Sequence, residues 1–291
     1  MQGRCPSLPA DAAPPEPIPI TDALDPRIEW FRHVREKDLR IRTDIFIAES
    51  DLVLRRLLRT PEQVAAVLLS PHRYEELREA LEVLRTDQPV YVAELDVLTE
   101  IAGFRIHRGV LAAGWRPDRR SLTMENAFAH LRDRSPRDPV TILAAEGLTN
   151  VDNMGAIFRN AAAFAADGVL IADDCCDPLY RKAIRVSMGH VLRMPWAIGE
   201  PWPAALERLR ESWGVKLIGA EVTDNAQVVW EAALPERCVL VLGSEGAGLR
   251  AETLALCDEA VQIPMAPGTP SLNVAVTSAV LLYEIQRSRR G

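Results

Sequence analysis

Several features are scarce or missing in this 291-residue chain. Of its 34 basic residues only Lys37, Lys182 and Lys216 are lysines. No apolar run is long enough to cross a bilayer. The first residues lack a basic stretch followed by an apolar core, so no secretory signal is expected. The cysteines Cys5, Cys175, Cys176, Cys238 and Cys257 form no C-x-x-C pair and no ligand set with histidine. That argues against a zinc site and for reduced thiols in a cytoplasmic protein. Two phosphate-binding signatures are also missing: the G-x-G-x-x-G dinucleotide fingerprint and the Gly-Lys-Ser/Thr of a P-loop.

What is present describes a globular chain long enough for two domains. Its net charge of −7 looks adverse for a nucleic-acid partner, but a phosphate backbone responds to local charge. Arginines cluster at Arg32, Arg35, Arg40 and Arg42 (with Lys37), at Arg105, Arg108, Arg116, Arg119 and Arg120, and at Arg132, Arg134 and Arg137. Arginine binds phosphate through two parallel hydrogen bonds and stacks on bases. Charge alone does not separate such a face from a merely solvated one.

Residues 1–24 are rich in proline and read as an extended tail. Residues 25–117 alternate strand-like and helix-like segments: strands at 45–48, 64–69, 90–93 and 110–115, helices at 51–59, 74–85 and 94–102. This predicts a small α/β unit with a mainly parallel sheet. Residues 118–138, charged and flanked by prolines, read as a linker with a short helix at 123–132. Residues 139–291 predict a second, doubly wound α/β unit. Its strands are expected at 140–144, 169–172, 191–194, 215–220, 239–242 and 261–263. Its helices are expected at 154–165, 180–188, 204–213, 251–257 and 272–287. Ligands of such sheets sit beyond the carboxyl ends of the strands.

Three segments of this second unit place polar or glycine residues just after apolar strands. In the first, Glu146 to Asn160, Asp152 or Asn153 can cap the following helix. Arg159 lies on an otherwise apolar stretch, where a charge calls for a partner. In the second, strand residues Val239–Leu242 lead into Gly243-Ser244-Glu245-Gly246-Ala247-Gly248. Three glycines in six positions permit positive φ and a close approach of backbone to a ligand. Glu245 would repel a pyrophosphate, so a cationic sulfonium or a phosphate-free adenosine suits the loop better. In the third, Pro264 stops a strand before Met265, and Ser271 is a natural N-cap for the last helix, with Asn273 in its first turn.

Together these segments resemble the motifs of the SpoU-type RNA ribose 2′-O-methyltransferases of the SPOUT superfamily. The matches are N-x-G-x-x-x-R at 153–159, L-G-S-E-G-x-G-L at 242–249, and I-P-M at 263–265 with S-L-N-V at 271–274. They occur in the family's order. The resemblance implies a trefoil-knotted parallel-sheet domain, S-adenosyl-L-methionine as cofactor, and a homodimer. It places the cofactor against Leu242, Gly243, Ile263, Met265 and Leu272. The implied catalytic cluster is Asn153, Arg159, Glu245, Ser271 and Asn273, without a metal. The smaller N-terminal unit resembles the ribosomal-protein-like substrate-binding domain of many members. Two positions depart from the family pattern: Asp152 stands where histidine is common, and Ala165 where glycine is usual.

The implied chemistry is attack of a ribose 2′-hydroxyl on a sulfonium methyl group. A guanidinium stays protonated at neutral pH, so Arg159 is read as fixing the adjacent phosphate and stabilising the developing alkoxide rather than as the base. RNA is the expected partner, ribosomal RNA ahead of transfer RNA, with no DNA and no membrane. The alternatives are a tRNA enzyme, which methylation of purified RNAs would separate, and a non-catalytic RNA-binding relative, which retention of the five cluster residues disfavours. A nicotinamide dehydrogenase is disfavoured by the missing fingerprint.

Overall fold

The computed structural model describes residues 15–32, 44–106 and 108–290. Cys5, most of the proline-rich tail, and Arg35, Lys37, Arg40 and Arg42 of the first basic cluster lie outside the described residues. Two compact units are resolved: residues 1–116 with 179–192, and residues 117–178 with 193–291. The expected second unit therefore needs correction, because Leu179–Leu192 leaves it to join the first.

The first unit holds a five-stranded sheet of order β1-β4-β3-β5-β2. Its strands are β1 (Ile18–Pro19), β2 (Ile45–Glu49), β3 (Val64–Leu69), β4 (Val90–Val92) and β5 (Val110–Trp115). Three helices join them: α1 (Asp51–Leu57), α2 (Pro71–Leu81) and α3 (Leu95–Ala102). The sheet is mixed, not mainly parallel: β4 runs parallel to β1 and β3, while β5 is antiparallel to both β3 and β2. An apolar run reads alike in either direction, and residues 103–109 bring the chain back to the carboxyl end of β3, where Ser70 N donates to Gly109 O (2.9 Å). The tail also contributes more than expected. Ile18–Pro19 pairs with β4 as an edge strand, where proline's missing N–H costs nothing, and Ile20 is buried.

The segment Leu179–Leu192 adds a short helix, Arg181–Val186. Arg181 pairs with Glu49 of β2 and lies 4.3 Å from the centroid of the Phe104 ring. The strand expected at 191–194 is absent. Residues His190–Leu192 form a 3-10 turn with Val191 buried, and the strand begins after Pro195.

The second unit has a seven-stranded sheet of order β10-β12-β9-β11-β6-β7-β8, parallel at every pairing. The strands are β6 (Val140–Ala145), β7 (Gly168–Ala172), β8 (Trp196–Gly199), β9 (Lys216–Ala220), β10 (Gln227–Val228), β11 (Arg237–Leu242) and β12 (Glu259–Gln262). All six residues of β6 are buried, as expected of a central parallel strand covered on both faces. The main helices are α4 (Val151–Ala163), α5 (Ala204–Trp213), α6 (Ala251–Leu256) and α7 (Val274–Ser288). Asn150 caps α4, its Oδ1 accepting from Asp152 N (2.8 Å). Helices α4 and α7 pack together, and Asn160 Nδ2 donates to Ala275 O (2.7 Å) and Ser278 Oγ (2.9 Å). No helix among the described residues is long and apolar enough to cross a membrane.

Candidate active site

A cavity of about 590 Å³ opens beyond the carboxyl ends of β9, β11 and β12, where open parallel sheets bind ligands. Its size falls within the range of small-molecule sites, about 300–1,000 Å³. Leu242, Gly243, Glu245, Ile263, Met265, Ser271, Leu272 and Asn273 all line it. Those eight residues come from two of the three sequence segments.

The 243–248 loop is shaped by its own backbone. Ser244 N donates to Gly248 O (3.0 Å) and Gly248 N to Ser244 O (3.1 Å), folding the loop back on itself. Gly246 and Gly248 have φ of +98° and +70°, which side chains of L-residues resist. Gly243 has a different reason. A Cβ there would lie 2.2 Å from the carbonyl carbon of Gly248, so its own loop excludes a side chain before any ligand arrives.

Glu221, immediately after β9, also lines the cavity, and sequence reading did not single it out. Its Oε2 accepts from Leu249 N (2.7 Å) and its Oε1 from Val222 N (3.2 Å). The only available signal was position, directly beyond a strand's carboxyl end. With Glu245 it gives the lining two carboxylates, and among the described residues no lysine, arginine or histidine lines the cavity. Such a lining favours a cation and opposes phosphate. Leu242, Ile263, Met265 and Leu272 add apolar surface, so the residues present fit an adenosine that carries positive charge.

The first segment reaches the cavity only through Asn273 of the third. Asn273, not Ser271, is the N-cap of α7: its Oδ1 accepts from Ala275 N (2.9 Å) and Val276 N (3.3 Å). Its Nδ2 donates to Asn153 Oδ1 (3.0 Å) on α4 and to Glu245 Oε1 (3.4 Å) in the glycine loop. Asn273 thus ties the three segments together. Asn153 is 6% exposed, and its Nδ2 is buried without a partner. Arg159, two turns further along α4, is exposed, does not line the cavity, and has no hydrogen bond or ion pair among the described residues. The expected partner for this charge is therefore not supplied by the chain around it.

Glu146, at the carboxyl end of β6, is buried and saturated. It accepts from Arg250 N (2.6 Å), Thr253 Oγ1 (2.7 Å) and Trp202 Nε1 (2.5 Å). Arg250 in turn pairs with Asp174 beyond β7. This network anchors the chain just after the glycine loop. Nearby Cys175 is a free thiol that donates to Ala145 O (3.4 Å), and burial pushes its pKa up to about 11. It is a packed thiol, not a poised nucleophile.

Comparison with known proteins adds a family, two relatives and two solved structures. The SpoU rRNA Methylase family model matches residues 141–283. A tRNA/rRNA methyltransferase of Mycobacterium tuberculosis, described as uncharacterized, is 37% identical over 99% of this chain and 96% of its own length. A 23S rRNA (guanosine-2′-O-)-methyltransferase of Acinetobacter baylyi is 30% identical over 69% of this chain and 79% of its own. Among solved structures, an RNA 2′-O ribose methyltransferase superposes with TM-score 0.74 at 26% identity, covering 94% of this chain and all of the other (100%). An AdoMet-bound rRNA methyltransferase from Sinorhizobium meliloti shares the fold, with TM-score 0.75 at 22% identity, over 92% of this chain and 97% of that one.

Proposed function

The chain belongs to the SpoU rRNA methylase family of RNA methyltransferases, and from that premise we propose that it transfers the methyl group of S-adenosyl-L-methionine to a ribose 2′-hydroxyl of ribosomal RNA. The observation that carries this reading is the cavity beyond β9, β11 and β12, which gathers Glu221 and Glu245 with apolar side chains such as Leu242, Ile263, Met265 and Leu272, and no basic residue among the described residues of its lining. When bound, S-adenosylmethionine supplies a methyl group on a sulfonium whose thioether is an excellent leaving group.

The chain must then orient a ribose hydroxyl and stabilise charge as its proton leaves. Arg159 fixes the phosphate next to the target ribose and stabilises the developing alkoxide, while that phosphate or water takes the proton. Glu245 and Asn153 are held by Asn273, so Asn273 is read as a positioning residue. Ser271 faces the incoming nucleotide at the cavity rim. Leu242, Gly243, Ile263, Met265 and Leu272 hold the adenosine.

The reading includes a homodimer. Helices α4 and α7 leave Val276 and Tyr283 exposed, Tyr283 at 55%, and the unpaired Arg159 lies on the same helix pair. An isologous contact there would bury the apolar side chains and bring Arg159 of one subunit to its partner's cofactor. A trefoil knot in residues 139–291, a ribosomal-protein-like RNA-binding role for residues 25–117 and a cytoplasmic location belong to the same proposal. The 23S rRNA relative supports ribosomal RNA as substrate.

The test is incubation of the purified protein with labelled S-adenosylmethionine and, separately, ribosomal RNA and bulk tRNA, followed by mass mapping of the product nucleotide. A 2′-O-methylated ribose in ribosomal RNA is expected. Label confined to tRNA would move the substrate. Cofactor binding without transfer to either RNA would mark a non-catalytic relative.

A further inference from the structure

The first unit contains its own cavity, of about 430 Å³, at the amino ends of β3 and β4 and the carboxyl end of β5. Val64 and Ala65, both buried, line it at the start of β3. Trp115, the last residue of β5, contributes an indole that is 44% exposed. Trp30 meets it edge to face, with ring centroids 5.4 Å apart and planes at 75°. Trp30 also packs on the unit's hydrophobic core, which fixes this aromatic corner.

The polar lining includes Arg27, Arg85, Glu29, Asp87 and Gln88, and each arginine is held by a carboxylate. Arg85 Nε and Nη2 donate to the two carboxylate oxygens of Asp87 at 2.9 and 3.0 Å. Arg27 Nε donates to Asp25 Oδ1 (3.0 Å), and its Nη2 to Asp25 Oδ2 (2.5 Å). Each carboxylate clamps one edge of its guanidinium and leaves Nη1 unused. Both arginine side chains are half exposed. The cavity therefore offers a half-exposed indole, apolar surface beside it, and two held guanidinium groups with spare donors beside the Glu29 carboxylate. A lipid chain has no use for the guanidinium groups, and a bare anion has no use for the indoles. A flat heteroaromatic ring on a phosphodiester chain uses both.

We propose that this cavity binds an unpaired nucleobase of the RNA, stacked on Trp115, with Arg27 and Arg85 directed at the flanking phosphates. The proposal rests on the RNA methyltransferase reading and adds a substrate contact in a different part of the chain from the methyl-transfer site. Trp30 and Trp115, 85 positions apart in sequence, form no motif that could be read locally.

The experiment measures full-length protein binding to a fluorescent, single-stranded RNA dodecamer of mixed sequence, by anisotropy across a salt series. Trp115→Leu keeps apolar bulk without a π face and is expected to weaken binding on the order of ten-fold. Trp115→Phe is expected to restore most of it. Arg85→Ala is expected to weaken binding and to lower the salt slope by about one. Affinity for S-adenosylmethionine should stay unchanged in all three, which also reports a folded chain. Wild-type affinity in Trp115→Leu would overturn the base site, as would a change confined to oligomeric state, which would mark the corner as a protein contact. If the wild type methylates RNA and the Trp115 variants bind normally, only the base site fails. If the wild type neither binds nor methylates RNA, the functional reading fails with it.

Discussion

In the loop after β11, each demanding position is met from within the chain. Gly246 and Gly248 take the positive φ values, Gly243 makes room for Gly248, Glu221 holds Leu249 N, and saturated Glu146 holds Arg250 N. Helix α4, which carries the other half of the proposed site, leaves three things open. Among the described residues Arg159 has no partner and Asn153 Nδ2 is buried and unsatisfied, and Ala165 just beyond the helix holds a φ of +52°. Buried polar groups are normally satisfied, so the contrast sets the proposed cofactor pocket, formed within one chain, against a proposed catalytic edge that RNA or a second subunit would complete.

The sharpest way to break this contrast is Arg159→Ala. If Arg159 serves only the transition state, methyl transfer should fall roughly 10²–10³-fold. The affinity for S-adenosylmethionine, measured by calorimetry, should not move. Arg159→Lys should recover little, because an ammonium lacks the guanidinium fork. A loss of cofactor affinity in Arg159→Ala would place the arginine in the pocket and dissolve the distinction.

Gly243→Ala attacks the finished half. The new Cβ would meet backbone that cannot give way cheaply, so urea denaturation should show a loss of about 1–3 kcal/mol. Cofactor affinity should fall with it, since the loop cannot keep its shape. Unchanged stability with weakened binding would mean that the glycine serves the ligand directly.

Much of this is legible in the amino-acid sequence. The three segments stand out because their residue types are unusual after apolar strands, and the doubly wound layout of the second unit follows from the alternation of strand-like and helix-like segments. What escaped reading depended on distance in sequence. The resemblance groups Asn273 with Asn153 and Glu245, but that its side chain caps α7 and donates to both is a set of contacts that no local pattern encodes. Glu221 became visible only once β9 lay beside β11. Residues 191–194 look like a strand in isolation, but Val191 is buried with the first unit, and Pro195 resets where β8 begins. Direction in the mixed sheet was equally hidden, because periodicity carries burial and not polarity.

A smaller effect is expected at Glu146. Glu146→Gln keeps the shape but replaces one acceptor oxygen by a donor, facing Arg250 N, Thr253 Oγ1 and Trp202 Nε1. One buried donor is left unsatisfied, at a cost of about 1–3 kcal/mol, read as a lower melting temperature. Affinity for S-adenosylmethionine should hold in the folded fraction. A selective loss of affinity would move Glu146 from scaffold to site.

The smallest change runs in the opposite direction and tests the unfinished half by completing it. Ala166 N donates to Ala161 O (2.8 Å) and Ala165 N to Ala162 O (3.3 Å), the paired bonds of a helix end that places its next residue in the left-handed region. Alanine there costs about 1–2 kcal/mol relative to an unstrained conformation, a penalty that glycine avoids while losing more chain entropy on folding. Ala165→Gly should therefore stabilise the protein by roughly 0.5–1 kcal/mol, the balance of those two terms. Activity should be unchanged if the strain is incidental. If the stabilised variant instead loses methyl transfer at constant cofactor affinity, the strained end of α4 takes part in setting Arg159, and the open half of the site owes its conformation to this one residue.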